Sequence, residues 1–487
     1  MFILFNGMGF KIMKKIDQNK IKKIHFIGIG GTSMSGLAHI ALNKGFQISG
    51  SDMRPCAYTE EFEKGGHHIS IGHSGENIPS DCDLVVYTAA INNNNPEMVE
   101  AARRGLPIMQ RKEFLGYLTT IYPNTIAVSG THGKTTTSSM ISMMLLHAHL
   151  DPTISVGGTI PEIDSNFRVG SSDYFVTEAC EFVDSFLYSR HRIAIILNVE
   201  EDHLDYFTGG IEQIRASFLK FAQIVPEDGL LILNGDDKEL SFIKDRCKCQ
   251  VITFGFNPGN DFRVINIQYN SMGLPSFDIY KHGKFYGHFK LIIPGLHNIQ
   301  NALASIICGD YIGISKDSMQ QGFMCFRGAK RRFEQRGYVN GVRVFEDYAH
   351  HPTEVKITIE ACRNYEHRKL WVVFQPHTYS RVYYFFDEFA EALGICDFLI
   401  MNDIYSDREA NAWGVSSEML AEAVKERYGT ASTCISSFED IANFLVERVQ
   451  PGDLVLVAGS QSINQVAFML VDRLKTLVLD DIAASVE

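Results

Sequence analysis

No pair of cysteines in this 487-residue chain has the Cys-x-x-Cys spacing, and the ten cysteines are scattered, with Cys247 and Cys249 the one close pair. That excludes a disulfide framework or a cysteine-built zinc site and fits reduced thiols in the cytoplasm. Positive charge is scarce as well. There are 45 Lys and Arg against 57 Asp and Glu, a net charge of −12, so a nucleic-acid partner is not expected: nothing would neutralise phosphates along a duplex. No stretch reaches the ~20 apolar residues of a membrane span. Internal repeats and low-complexity segments are missing too. The opening MFILFNGMGFKIMKK is apolar before it is basic, the reverse of a secretory signal. It reads as an upstream extension with Met13 as the true start.

What is present is a globular composition, 45% apolar and 21% charged, in a chain long enough for two to four domains. Apolar strands ending in polar residues alternate with helical sequence. They are IHFIGIG (24–30), FQISGSD (46–52) and DLVVYTAA (83–90), then TIAVSG, YFVTEA (174–179) and RIAIILNVEEDH (192–203), then segments 343–351, 369–377, 397–405 and 453–460. This pattern predicts α/β architecture with parallel sheets covered on both faces. Short alternating segments between about 250 and 295 predict a small antiparallel insertion. Boundaries near 120 and 330 divide the chain into residues 1–120, 121–330 and 331–487.

Chemistry is expected at the carboxyl ends of these strands. GTHGKTTT (130–137) lies between a strand and a helix. Backbone N–H groups of a tight glycine turn at a helix N-terminus bind phosphate, Lys134 can reach terminal phosphates and Thr135 can ligate Mg²⁺. The spacing from Gly130 to Gly133 is two residues shorter than the usual P-loop. GIGGTSMSG (28–36), with Asp52 ending the next strand, is half a dinucleotide fingerprint, because Ser33 stands where the third glycine belongs. It fits NAD and equally any other pyrophosphate-linked ligand. Glu178 and His203 sit at strand ends, placed to hold Mg²⁺ or orient phosphate. Helix capping explains some of the neighbouring Glu181, Asp184, Glu200 and Glu201. AKRRFE (329–334) reads as a solvated face or linker. In EDYAHHPTE (346–354), Asp347 is placed for a ribose, and PHTYSR (376–381) offers His377 and Arg381 for a carboxylate.

Together these segments, with IPGLHNIQNALAS and DIYSDREANAWGVSS, resemble the Mur ligases from His25 to about Arg473, and within them the branch that joins L-alanine to UDP-N-acetylmuramate. The resemblance implies three domains: a Rossmann-like one for the UDP-sugar, a central P-loop one with a mixed sheet for ATP, and a Rossmann-like C-terminal one completing the amino-acid site. It implies an acyl-phosphate intermediate in peptidoglycan precursor synthesis, with ATP and Mg²⁺ (or Mn²⁺) as cofactors. Gly130, Thr131, His132, Gly133, Lys134, Thr135, Thr136, Asn298, Asn301, Arg332 and Asp347 would bind ATP. Thr135, Glu178 and His203 would hold metal, and Lys134, Glu178, His203 and Arg381 would be catalytic. Gly28, Gly30, Gly31, Thr32, Ser33, Met34 and Asp52 would hold the UDP-sugar. His350 or His351, with His377 and Arg381, would meet the amino acid.

The chain departs from the family at three places. Thr378 stands where relatives often have Arg, AGSQSIN (458–464) replaces Gly-Ala-Gly-Asp-Ile, and Phe218 occupies the place of a lysine that other branches carbamylate and the alanine-adding branch lacks. A cytoplasmic monomer or weak homodimer is expected, with no membrane partner. Three other readings remain: a ligase recycling a preformed tripeptide, an NAD-dependent oxidoreductase that leaves GTHGKTTT unexplained, and a non-catalytic nucleotide sensor supported only by AGSQSIN.

Overall fold

A computed structural model describes residues 21–486 apart from 271–272 and 407–408, with side chains described as far as Leu479. Met13 and the opening segment lie outside the described residues. Three sheets follow one another along the chain. The first holds β1 (Lys23–Ile27), β2 (Gln47–Asp52), β3 (His68–Ile71), β4 (Leu84–Tyr87) and β5 (Ile108–Gln110) in the order β3-β2-β1-β4-β5, all parallel. Phe26, Leu84 and Val86 are fully buried on one face and Ile27 and Val85 on the other, which is why these strands read as unbroken apolar runs.

The central sheet has ten strands: β6 (Asn124–Ser129), β7 (Thr153–Ile160), β8 (Ser165–Arg168), β9 (Tyr174–Glu178), β10 (Ile193–Ile196), β11 (Leu230–Asn234), β12 (Gln250–Gly255), β13 (Phe262–Tyr269), β14 (Pro275–Lys281) and β15 (Lys284–Lys290). Their order is β15-β14-β13-β12-β11-β10-β6-β9-β7-β8. The sheet is mixed. β12 pairs parallel with β11 and with β13; antiparallel pairing occurs at the two edges, in β13–β15 and between β7 and β8. The expected insertion is thus a continuation of the same sheet, and it starts at Phe262, not near residue 250. Helices Lys134–His147 and Leu296–Ile312 pack together over one face. Phe218, fully buried, helps fill the other.

The last sheet runs β16-β17-β21-β18-β19-β20, from β16 (Glu334–Val339), β17 (Val342–Asp347), β18 (Leu370–Phe374), β19 (Phe398–Met401), β20 (Ala431–Cys434) and β21 (Leu454–Ala458). Only β16 is antiparallel to its neighbour. The segment read as a solvated or linking stretch is the joint between the last two units. Arg331 donates to the carbonyls of Gly459 (2.9 Å) and Gln461 (2.6 Å), and Lys330 reaches Asp164. AGSQSIN is therefore gripped by the joint. Among the described residues no helix is long and apolar enough to cross a membrane.

Candidate functional site

Strand β6 delivers the chain to Gly130, and the helix Lys134–His147 starts directly after Gly133. Gly133 has φ 85°, and a Cβ there would lie 2.6 Å from the Asn301 Oδ1. Both the turn and the close approach require glycine. The Lys134 ammonium donates to the Gly130 carbonyl, to the Thr131 carbonyl (3.0 Å) and to Glu181 (3.1 Å). Burial alone would weaken its hold on the proton, but Glu181 outweighs that and raises its pKa, so the ammonium is charged. Glu181, only 4% exposed, is Lys134's partner and makes no helix-capping bond. Of the four acids some of which were expected to cap helices, Glu201 fits, accepting the Ile211 N–H near a helix start. Asp184 instead accepts hydroxyls of Tyr206 and Ser217, and Glu200 accepts that of Thr353.

Glu178 ends β9 and accepts the Gly157 N–H at 2.6 Å. A Cβ on Gly157 would fall 2.8 Å from Glu178 Oε2, and one on Gly158 3.1 Å from Thr135 Cγ2. Thr135 and Glu178 therefore flank one turn that has no side chain of its own. A hydroxyl and a carboxylate beside the loop amides form a hard oxygen set, of the kind that suits Mg²⁺.

The loop opens into a cavity of 740 Å³ shared by two units of the fold. His132, Gly133, Thr135, Thr136, Asn298 and Asn301 line it from the central unit, and Arg332, Asp347 and Glu354 from the C-terminal one. Asn298 and Asn301 lie on the first turns of one helix and bond to each other at 3.2 Å. Asp347 ends β17 and accepts the backbone N–H groups of Phe333 (2.6 Å) and Ala349 (2.7 Å). Burial pushes its carboxyl up to about 6 despite the Arg332 guanidinium. Arg332 lies over the Tyr348 ring and 3.9 Å from Glu354.

A second constellation joins the same two units. Arg381 donates to Asp202 Oδ1 from Nη2 (2.8 Å) and Nε (3.3 Å), and its Nη1 lies 3.3 Å from the His377 Nδ1. His203, in the left-handed region at φ 52°, packs its ring at a tilt against Phe182 and lies 3.6 Å from Asp202. Arg381, from the C-terminal unit, and Asp202, in the loop after β10 of the central unit, thus meet across the joint. His350, whose imidazole burial pulls down to about 3, is 5.9 Å from the His377 ring. His351 is turned the other way, toward His132 at 4.9 Å, so the two adjacent histidines separate and only His350 stays beside His377. Asp202 and Glu354 are not singled out by the sequence, and Glu181 and Glu200 are considered there only as possible helix caps. Each sits one to three residues from a residue that was singled out, which is the only local signal they carry.

The first unit contributes the other glycine loop. Gly30 donates its N–H to Asp52 Oδ2 at 2.9 Å, and a Cβ on Gly30 would come equally close to that oxygen. Asp52 therefore braces the loop. Gly28 lies before the turn at φ 83°, while Gly31, Thr32 and Ser33 are exposed. Met34 is 1% exposed and packs in the core, so its side chain does not face a ligand.

Three α/β units, a glycine loop carrying a charged lysine, and a cavity closed by two of the units define a multidomain enzyme of the phosphate-binding class. Comparison with known proteins narrows this. Residues 23–122 match the family description "Mur ligase family, catalytic domain", 128–309 "Mur ligase middle domain" and 331–461 "Mur ligase, glutamate ligase domain". The chain is 47% identical over 465 residues to the UDP-N-acetylmuramate–L-alanine ligase of Clostridium novyi, covering 96% of this chain and 100% of that one. It is 46% identical to the ligase of the same name from Acetivibrio thermocellus, covering 93% and 96%. The crystal structure of the UDP-N-acetylmuramate-alanine ligase of Thermotoga maritima superposes with a TM-score of 0.76 at 27% identity, covering 93% of this chain and 99% of that one. The chain belongs to the Mur ligase family.

Proposed function

We propose that this protein is an ATP-dependent ligase that joins L-alanine to the carboxyl group of UDP-N-acetylmuramate, through an acyl phosphate, in cytoplasmic peptidoglycan precursor synthesis. The observation that carries this is the full-length identity of 47% to a relative of that name. It also favours alanine over the preformed tripeptide of the recycling reading. The proposed units run 1–120 for the UDP-sugar, 121–330 for ATP and 331–487 for the amino acid.

A carboxylate acylates only when one of its oxygens becomes a leaving group, and phosphoryl transfer supplies that. Catalysis is then a matter of positioning and offsetting charge. The ATP phosphates would lie on the amides of Gly130–Thr136, with the Lys134 ammonium leaving Glu181 for the terminal phosphate. Asn298 and Asn301 would face the adenine side, and Asp347 would accept a ribose hydroxyl. Thr135 and Glu178 fit a Mg²⁺ ion, with Mn²⁺ as a substitute, and His203 would support a second ion on the muramyl side. Bound there, the ion would neutralise phosphate charge. Arg381, beside His377 and His350, would take the alanine carboxylate, leaving the amine to attack the acyl carbon. The sheltered cavity and the joint above it keep water from the acyl phosphate.

Phosphate release with ATP, Mg²⁺, UDP-N-acetylmuramate and L-alanine, each omitted in turn, tests the reading. Release requiring all four is expected. Release only when a tripeptide replaces alanine would transfer the protein to the recycling reaction.

A further inference from the structure

We propose that His132, Glu200 and His351 form a binding site for one divalent transition-metal ion of the Zn²⁺ or Co²⁺ class, spanning the joint between the central and C-terminal units. The site shares no residue with the oxygen-rich position of Thr135 and Glu178.

The argument begins with the hydrogen bonds of the two imidazoles. His132 Nδ1 lies 3.0 Å from Glu354 Oε1, so it is the nitrogen that donates to the carboxylate. His351 Nε2 lies 3.2 Å from the backbone carbonyl of Glu201, an acceptor only, so that nitrogen also carries a hydrogen. The other nitrogen of each ring is thereby the one free to ligate, although at His132 the two flanking carboxylates, Glu200 and Glu354, outweigh burial and raise the pKa to about 9, so a metal would displace a proton from Nε2. Those two nitrogens, His132 Nε2 and His351 Nδ1, converge with Glu200 Oε2. The oxygen is 3.5 Å from the first and 3.9 Å from the second, and all three atoms lie within 4.8 Å of one another. A metal bound at ~2.0–2.2 Å in a tetrahedral site has ligands ~3.3–3.6 Å apart, so the Glu200 oxygen is already near ligand spacing from both rings and the two nitrogens would draw together by up to ~1 Å.

The outer contacts are those of a metal site. A ligating histidine almost always donates its far N–H to a carboxylate or a backbone carbonyl, and here one ring does each. Glu200 Oε2 is itself fixed by the Thr353 hydroxyl at 2.6 Å. The His132 Nε2 is buried and has no hydrogen-bond partner. The His351 Nδ1 has one other contact, a long 3.4 Å bond from the Thr353 N–H, which would yield to a metal. Two imidazoles with one carboxylate suit zinc or cobalt, whereas Mg²⁺ prefers an all-oxygen shell. His132 and Glu200 come from the central unit and His351 from the C-terminal one, so the ion would tie the phosphate loop to the opposite wall of the cavity.

The test uses the full chain, stripped with chelator and desalted. Zn²⁺ is titrated calorimetrically in a large excess of Mg²⁺, in a Cys247→Ser, Cys249→Ser background that removes the one close thiol pair. One equivalent is expected, weakened by more than 10-fold in Glu200→Gln and His351→Ala and by about 10–100-fold in Glu354→Gln. X-ray absorption of the Zn²⁺-loaded unsubstituted chain supplies a reading that no folding defect can spoil, with two imidazoles and oxygen expected around the metal. No uptake in the Cys247→Ser, Cys249→Ser background, uptake indifferent to Glu200→Gln and His351→Ala, or a sulfur or all-oxygen shell would each overturn the proposal.

Discussion

Arg381 and Asp202 form a buried ion pair, 2.8 Å from Nη2 to Oδ1, between residues 179 positions apart on different units of the fold. Their side chains are 8% and 12% exposed. The guanidinium holds the Asp202 carboxyl well below the usual carboxylate range, although burial works against it. The arginine proposed for the alanine carboxylate is thus already matched to a carboxylate of the protein. Arg381→Ala is expected to raise the KM for alanine by about 10²-fold, the loss of one charge-assisted contact of ~2–3 kcal/mol, with the KM for ATP little changed. Initial rates against each substrate check this, and an equal rise in both constants would count against the assignment.

Lys134 is expected to matter for rate and not for folding. Lys134→Ala should unfold cooperatively like the unsubstituted chain, yet turn over more slowly by on the order of 10²–10³. Glu181→Gln keeps the shape of the partner and removes its charge, so its loss should be smaller, roughly 10-fold. Near-normal turnover in Lys134→Ala would remove the phosphate role.

Gly157→Ala is a local test of the metal position. Gly157 is exposed, and the obstacle to a side chain there is the Glu178 carboxylate at 2.8 Å. The added methyl should push that carboxylate aside, raising the Mg²⁺ concentration needed for half-maximal rate while leaving thermal unfolding within ~1 kcal/mol. An unchanged Mg²⁺ requirement would argue that Glu178 does not hold the ion.

ATP binding should weaken in mild acid. Burial raises the Asp347 carboxyl to about 6. Above that pH the group is ionised and accepts a ribose hydroxyl. As pH falls through about 6 it takes up a proton and loses part of that capacity. The KM for ATP should therefore rise between pH 7 and pH 5, and Asp347→Asn should flatten the dependence. A profile that stays just as steep in the variant would point to another group.

The parts of the fold that sequence exposes are those buried on both faces. β1, β6, β10 and β21 read as strands because packing on two sides demands unbroken apolar residues, and each stops at polar or glycine positions. β20, ASTC, carries no such run, and its outer position in the sheet explains why. The glycine loops were visible because their geometry needs particular residues next to one another. The joint was not. His132 meets Glu354 across 222 positions, and no local period encodes such a contact. Nothing local separates Glu181 from the neighbouring acids, some of which capping was expected to explain, because its partner is the buried Lys134, 47 positions away.

The strand order also bears on synthesis. β6, which carries the phosphate loop, pairs with β9 and β10 and with no strand made before it. The first sheet is complete once Gln110 has been made, so that unit can settle while the ribosome is still translating. The loop strand must wait, apolar and unpaired, until β9 is complete at Glu178, and for its second partner until β10 is complete at Ile196. A chain stalled in that interval would present an adhesive edge to chaperones or to its neighbours on the same message.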